Sequence, residues 1–303
     1  MRLPSRRGAA IALGAAALAV SLSSCGGSSA PAGTLPKVSG PFGSLATITF
    51  PDGSPSSTLQ VKVLKKGTGP VVHKGDLLVA NYVGQIWQGK VFDSSFSRHQ
   101  LSAFPIGVHR VILGWDDALV GVHWGTRLLM VVPPAYGYGA RGQPQAGIKP
   151  SDTLVFVVDV VASFPRSAVG PGAAAAVHAG VNGITVAWPS AMPPVLHVPS
   201  GLDIPGKSTI TIVSRGTGPP VTPGLLVLQY VVVDAKTGKV VQSTWKNGIP
   251  DSGIVGDPAQ PSVLDKFLGL PVGTRAILRV PKLPTGGPYV FAVEVVAEPS
   301  ASG

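Results

Sequence analysis

The side chains best suited to chemistry in this chain do not form any of the usual catalytic sets. The six histidines, His73, His99, His109, His123, His178 and His197, never take the His-Glu-x-x-His spacing that brings two imidazoles onto a metal. Each reads as a surface or loop residue. No Gly-x-Ser-x-Gly elbow occurs, and the single cysteine, Cys25, excludes an internal disulfide and any multi-cysteine metal site. Gly137-Tyr138-Gly139-Ala140-Arg141-Gly142 carries a loose glycine pattern, but prolines precede it and no helix follows, so it is not a phosphate loop. What remains is aromatic rings close to a few polar groups. They stand in Val91-Phe92-Asp93-Ser94-Ser95, in Val111-Ile112-Leu113-Gly114-Trp115-Asp116 and in Pro133-Pro134-Ala135-Tyr136-Gly137-Tyr138-Gly139. Such a set offers no nucleophile and no metal ligands. It offers an apolar surface with a carboxylate and a hydroxyl at hand.

These segments fall at strand and loop junctions. Leu59 to Val63 alternates apolar and polar residues, and Leu77 to Val83, Arg127 to Val132 and Thr153 to Val161 are rich in β-branched residues; all four read as strands. One short helix is expected from Trp115 to about Val120, with Asp116 and Asp117 in its first turn, where the helix dipole favours negative charge. The fold class is therefore α+β, a mostly antiparallel sheet with one short helix packed on it. Gly (39) and Pro (30) are abundant in the 303 residues, which predicts many turns and short strands and disfavours long helical bundles.

The pattern occurs twice. Lys66-Gly67-Thr68-Gly69-Pro70 returns as Arg215-Gly216-Thr217-Gly218-Pro219, and Phe50-Pro51-Asp52-Gly53 as Val198-Pro199-Ser200-Gly201. Gly125-Thr126-Arg127 returns as Gly273-Thr274-Arg275, and the strand from Thr153 to Val161 as Pro288 to Val296. Ordered matches of this kind indicate a tandem duplication. The Gly/Ala/Pro stretch Ser167 to Ala176 divides the copies, and residues 177–193 have no partner in the first copy.

The N-terminus explains Cys25. Arg2, Arg6 and Arg7 precede an apolar run from Gly8 to Leu22, too short for the roughly 20 residues of a membrane span and suited to a signal peptide. It ends in Leu22-Ser23-Ser24-Cys25, which resembles a bacterial lipobox whose cysteine carries the lipid. This predicts an exported protein, lipid-anchored through Cys25 to the outer face of the cell membrane, with membrane contact through the anchor only. Without the three signal arginines the formal net charge falls from +10 to +7. The remaining basic residues are dispersed and not interleaved with aromatics, so no nucleic-acid partner is expected. The expected organisation is a signal peptide (1–24), a flexible tether (25–36), a first domain (37–165), a linker with the unplaced segment (166–193), a second domain (194–298) and a tail (299–303).

The three aromatic segments, with Thr153-Leu154-Val155-Phe156, resemble the motifs of FKBP-type peptidyl-prolyl cis-trans isomerases, in the same order over about residues 58–165. The resemblance implies an FKBP-like antiparallel sheet wrapped around one short helix, present as two tandem copies, the second degenerate. It implies catalytic roles for Asp93, Tyr138, Phe92 and Trp115. It also implies substrate-binding roles for Tyr82, Phe104, Val111, Ile112, Ile148 and Phe156, with Arg98 steadying the aspartate. No cofactor and no metal are implied. The implied partners are proline-containing segments of exported proteins, and the macrolide inhibitors of the family. Two positions depart from the family: Ser102 replaces a rim aromatic and Gln143 a frequent histidine, so substrate preference is affected first.

The chemistry suits these residue types. The X–Pro bond turns over a barrier of about 18–20 kcal/mol because twisting destroys amide resonance. A dry slot complementary to the twisted amide lowers that barrier without breaking a bond. The alternative function is a non-catalytic chaperone or scaffold that binds proline-containing segments. In the second copy, Val241-Gln242 stands where Phe92-Asp93 stood, Val263 aligns with Trp115, and the Tyr138 loop shrinks to Lys282 to Gly287. That copy is expected to keep the fold, lose the enzyme and retain only a small aliphatic cavity, with Trp245 near the old rim.

Overall fold

The computed structural model describes residues 33–173, 176–189, 192–284 and 286–300. The signal segment and Cys25 lie outside the described residues. Strands β1 (Lys37–Ser39) and β2 (Thr47–Thr49) form a small hairpin. They are followed by β3 (Gln60–Lys65), β4 (Leu77–Ile86), β5 (Val91–Ser94), β6 (Ser102–Pro105), helix α1 (Leu113–Leu119), β7 (Arg127–Val132) and β8 (Leu154–Phe164). The six later strands make one antiparallel sheet of order β3-β7-β8-β4-β5, with β6 also pairing on β4.

The apolar runs of β4 and β8 are long because both faces of their strands are covered. Alternate residues of β4, Leu78, Ala80 and Tyr82, turn towards α1 and share a core with Leu154, Phe156, Val158 and Val160 of β8. Val83, Val155 and Val157 turn to the opposite face, under Val38 and Ile48 of the hairpin. Strand β3, by contrast, departs from the half-buried pattern its alternation predicts: as the outermost strand it leaves Val61 and Val63 exposed, and only Leu64 and the adjoining Leu59 pack against the cores. Helix α1 begins two residues earlier than expected, because the Ile112 carbonyl already accepts from the Trp115 and Asp116 amides. Asp116 serves the preceding loop as well: its buried carboxylate accepts from the Gly107 and His109 amides at 2.6 and 2.7 Å.

The second half repeats this plan. Strands β9 (Val177–Val181), β10 (Ile184–Trp188) and β11 (Val195–His197) form a three-stranded sheet. Then come β12 (Thr209–Ser214), β13 (Gly224–Asp234), β14 (Lys239–Ser243), the single turn α2 (Thr244–Asn247), β15 (Asp251–Val255), β16 (Arg275–Val280) and β17 (Tyr289–Ala297). Their order, β12-β16-β17-β13-β14 with β15 on β13, is that of the first sheet strand for strand. A 3-10 segment, Val263–Phe267, stands in the place of α1 and buries Phe267. The segment left unplaced by sequence now has a role. The β10–β11 pair, with Val186 opposite Leu196, covers the second sheet as β1–β2, with Val38 opposite Ile48, covers the first; β9 is the added strand.

The Ser167–Ala176 stretch, read from its composition as a linker, is packed where it is described. Gly170 donates to the buried Glu294 at 2.8 Å, and Ala173 is buried. A side chain at Gly170 would meet the Val295 carbonyl oxygen at 2.3 Å, so only glycine permits this approach. The two halves also share a core. Leu77 and Val79 of β4 and Ala162 of β8 pack with Leu225 and Val227 of β13 and Val296 of β17.

Candidate active site

On the α1 side of the first sheet, β4, β5, β6, β8, α1 and the loop after β7 converge on a cavity of about 200 Å³. Tyr82, Phe92, Asp93, Phe104, Val111, Ile112, Trp115, Tyr138 and Phe156 all line it. Two residues expected there do not line it. Ile148 is 3% exposed and belongs to the core behind the cavity. Arg98 stands outside and reaches in through its hydrogen bonds. One lining residue, Arg110, was not anticipated. It is exposed and directly precedes Val111, and nothing in its own sequence context separates it from a solubilising surface arginine.

Trp115 forms the bottom, only 4% exposed. The rings of Tyr82, Phe104 and Phe156 stand edge-on around it, with centroids 5.4, 5.0 and 5.5 Å away. Phe92 meets Phe156 edge-to-face at 5.6 Å. Edge-to-face packing is the arrangement that aromatic quadrupoles favour, and it holds the walls stiffly. Glycine makes it possible. A side chain at Gly84, between the Phe92 and Phe156 rings, would meet Phe92 Cζ at 2.6 Å and Phe156 Cε1 at 2.9 Å.

Gly84→Val is therefore expected to push these rings out of place and lower X–Pro turnover at least about tenfold, a barrier change of about 1.4 kcal/mol. Turnover equal to that of the parent chain, with the fold intact by circular dichroism, would show that the ring positions do not matter.

The polar side of the cavity is one network. The Tyr82 hydroxyl donates to Asp93 Oδ2, and Arg98 donates through Nη1 to Asp93 Oδ1. Arg98 Nη2 also donates to the Tyr82 hydroxyl at 3.0 Å and to Ser102 Oγ at 3.2 Å. The position where the family carries an aromatic is thus used here to hold the arginine. Asp93 is held in one orientation by donors on both of its oxygens. Burial, and then the hydrogen bond to Asp93, push the Tyr82 hydroxyl up to about 12, while burial and the Asp93 charge raise that of Tyr138 as well. Both stay protonated donors at any physiological pH.

A raised folded value means that Tyr82 contributes stability that is complete below its unfolded value near 10 and is lost as pH climbs to about 12. Denaturant titrations across that window should show a shallower fall for Tyr82→Phe than for the parent; equal slopes would contradict this.

The corresponding face of the second sheet also carries a cavity. Register places Tyr230 where Tyr82 stands, Phe291 where Phe156 stands, and Gln242 where Asp93 stands. Asp265 accepts from the Gly256 amide as Asp116 does from Gly107, so Leu264, not Val263, takes the place of Trp115. The expected small aliphatic remnant is not found. The cavity measures about 480 Å³, and Tyr230, Tyr289 and Phe291 line it. Small or aliphatic residues stand where the Trp115, Phe92 and Phe104 rings stand in the first copy, and the space is larger. Trp245 is not at the rim; it is 6% exposed and packs against the β9–β11 sheet.

No group of three or more potential metal ligands occurs among the described residues, and no helix there is long and apolar enough to cross a membrane. Residues 69–161 match the family profile described as FKBP-type peptidyl-prolyl cis-trans isomerase. The chain is 37% identical over 116 residues to an FK506-binding protein of Streptomyces anulatus, covering 38% of this chain and 94% of that one. It is 37% identical over 107 residues to FK506-binding protein 2 of Yarrowia lipolytica, covering 34% and 74%. It is 36% identical over 123 residues to the peptidyl-prolyl cis-trans isomerase FKBP2 of Bos taurus, covering 41% and 87%.

Proposed function

Because this chain belongs to the FKBP-type peptidyl-prolyl cis-trans isomerases, we propose that it accelerates X–Pro rotation in exported polypeptides while lipid-anchored outside the cell membrane. The family binds proline-containing substrates and macrolides such as FK506. In this reading residues 37–165 form the isomerase domain and residues 194–298 a degenerate copy. The observation that carries it is the ring-walled cavity bounded by the Tyr82–Asp93–Arg98 network.

The proline ring enters between Tyr82, Phe92, Phe104 and Phe156 and rests on Trp115, which removes the preceding amide from water. The Tyr138 hydroxyl and the Ile112 amide donate to carbonyls of the bound segment. Asp93, held by Tyr82 and Arg98, faces the amide as it twists. An amide losing resonance is less well served by ordered water than by a dry, fixed surround, so the twisted form is bound preferentially. No bond is made or broken, and the residues present suffice without a cofactor.

The lipobox and the tether support the location. Cys25→Ser is expected to leave X–Pro turnover unchanged and to move the protein from the membrane fraction to the soluble one, or to stop its maturation. Continued membrane association of a signal-cleaved Cys25→Ser chain would refute the anchor.

A further inference from the structure

The second cavity differs from the first in size and in charge. At the first, Asp93 is paired with Arg98, and Arg110 also lines the wall. At the second, Asp251 is the one charged lining residue, and no lysine, arginine or histidine pairs with it among the described residues. Asp251 lies on β15 opposite Leu228, in the register position that Ser102 occupies on β6 opposite Ala80. The acid has thus moved by one strand relative to the first copy. It is fixed there: the Tyr230 hydroxyl donates to Oδ2 and the Ser252 amide to Oδ1, while Gln242 Nε2 donates to the Tyr230 hydroxyl at 2.7 Å. Gln242 and Tyr230 together hold the exposed carboxylate at the mouth of an aromatic-lined cavity.

The cavity wall has been rebuilt, not merely eroded. Val232 and Val241 replace Gly84 and Phe92, and Gly253 stands where Phe104 was, with Leu264 filling the space above it: a side chain at Gly253 would meet Leu264 Cδ1 at 2.3 Å. The flat slot for a proline ring is gone, and a wider space with an uncompensated negative charge has taken its place.

We propose that this cavity is a binding site for polypeptide segments in which a large aliphatic side chain stands next to a lysine or arginine. The apolar side chain fills the space between Tyr230, Tyr289 and Phe291, and the cation pairs with Asp251. The first cavity then acts on prolines while the second holds basic–apolar segments, so one compact unit carries two sites of different preference. This inference stands on the second cavity alone and does not require the first to turn over.

The test uses the chain from residue 26 to 303, with FK506 saturating the first cavity. Binding of a proline-free acetylated peptide, Ala-Ala-Leu-Lys-Ala-Ala, is measured by calorimetry against the versions with glutamate for lysine and with serine for leucine. Both substitutions in the peptide are expected to weaken binding at least tenfold, and Asp251→Asn to weaken the lysine peptide three- to tenfold. Equal binding of the lysine and glutamate peptides, or none at 1 mM, would overturn the proposal. A photoreactive leucine analogue in the same peptide checks the place without any variant of the protein. Cross-links to β13–β17, the Val263–Phe267 turn or Leu283, which line the cavity, are expected, and cross-links confined to other segments would overturn it.

Discussion

Trp115→Ala is expected to remove most of the X–Pro turnover and about 3–5 kcal/mol of stability together. An indole that formed only the floor of an open site would cost less to truncate. Trp115 is not open: it is 4% exposed, and the rings of Tyr82, Phe104 and Phe156 surround it edge-on. Its indole N–H has no hydrogen-bond partner among the described residues, so its contribution is packing and not polar contact. Core and floor are one residue here. Trp115→Phe separates the two roles, since it keeps an aromatic disc in the same rotamer space while opening a gap beneath the substrate. The phenylalanine variant should melt close to the parent yet turn over more slowly. Loss of less than about 1 kcal/mol in Trp115→Ala by urea titration would show that the surrounding rings collapse into the space.

Arg127→Ala is expected to cost about 3–5 kcal/mol, because it leaves a buried carboxylate without its partner. Arg127 and Asp159 are 3.3 Å apart with side chains 3% and 1% exposed. The same pair also anchors the covering segment. Arg127 donates to the Pro41 carbonyl and, at 3.0 Å, to that of Ser44, and Gly43 donates back to Asp159 at 2.7 Å. Burial pushes the Asp159 carboxyl up and the Arg127 guanidinium down, each opposed by the other's charge. Loss of the arginine should therefore release the β1–β2 hairpin as well as destabilise the sheet. Limited proteolysis should cut near residues 40–50 in the variant and not in the parent. Unchanged protection there would show that the hairpin is held by Val38 and Ile48 alone. The second sheet carries the same device in Arg275 and Glu294, 3.0 Å apart, with Gly170 as the tied segment.

The strands were readable because their signal is local. Arg127–Val132 starts and ends where its composition predicts, and β4 and β8 run a few residues beyond their expected C-terminal ends because they continue to pair, β4 with β8 through Ile86 and β8 with β4 through Phe164. The cavity walls were readable because rings and turn residues stand in recognisable short segments. Other features depend on pairing across the fold. Arg110 looks like any exposed arginine until Val111 is placed. Gly170 and Ala173 have the composition of a tether, but Gly170 donates to Glu294 and Ala173 is buried. The 177–188 hairpin has no sequence partner because only its register with β11 repeats that of β1 and β2. The size of the second cavity does not follow from the shrinkage of its side chains, since packed surroundings relax only partly over lost volume. Asp251 carries no local signal, because its place at the second cavity comes from a change of strand.

The measurement that bears most directly on the account is cis–trans isomerisation of a chromogenic X–Pro peptide by the chain from residue 26 to 303, with and without FK506. The rate is expected to rise in proportion to the protein, to fall to the buffer blank at saturating macrolide, and to lose at least tenfold in Asp93→Ala, all from the first cavity. A folded chain that turns over no faster than buffer, or one whose turnover persists under saturating FK506, would contradict it.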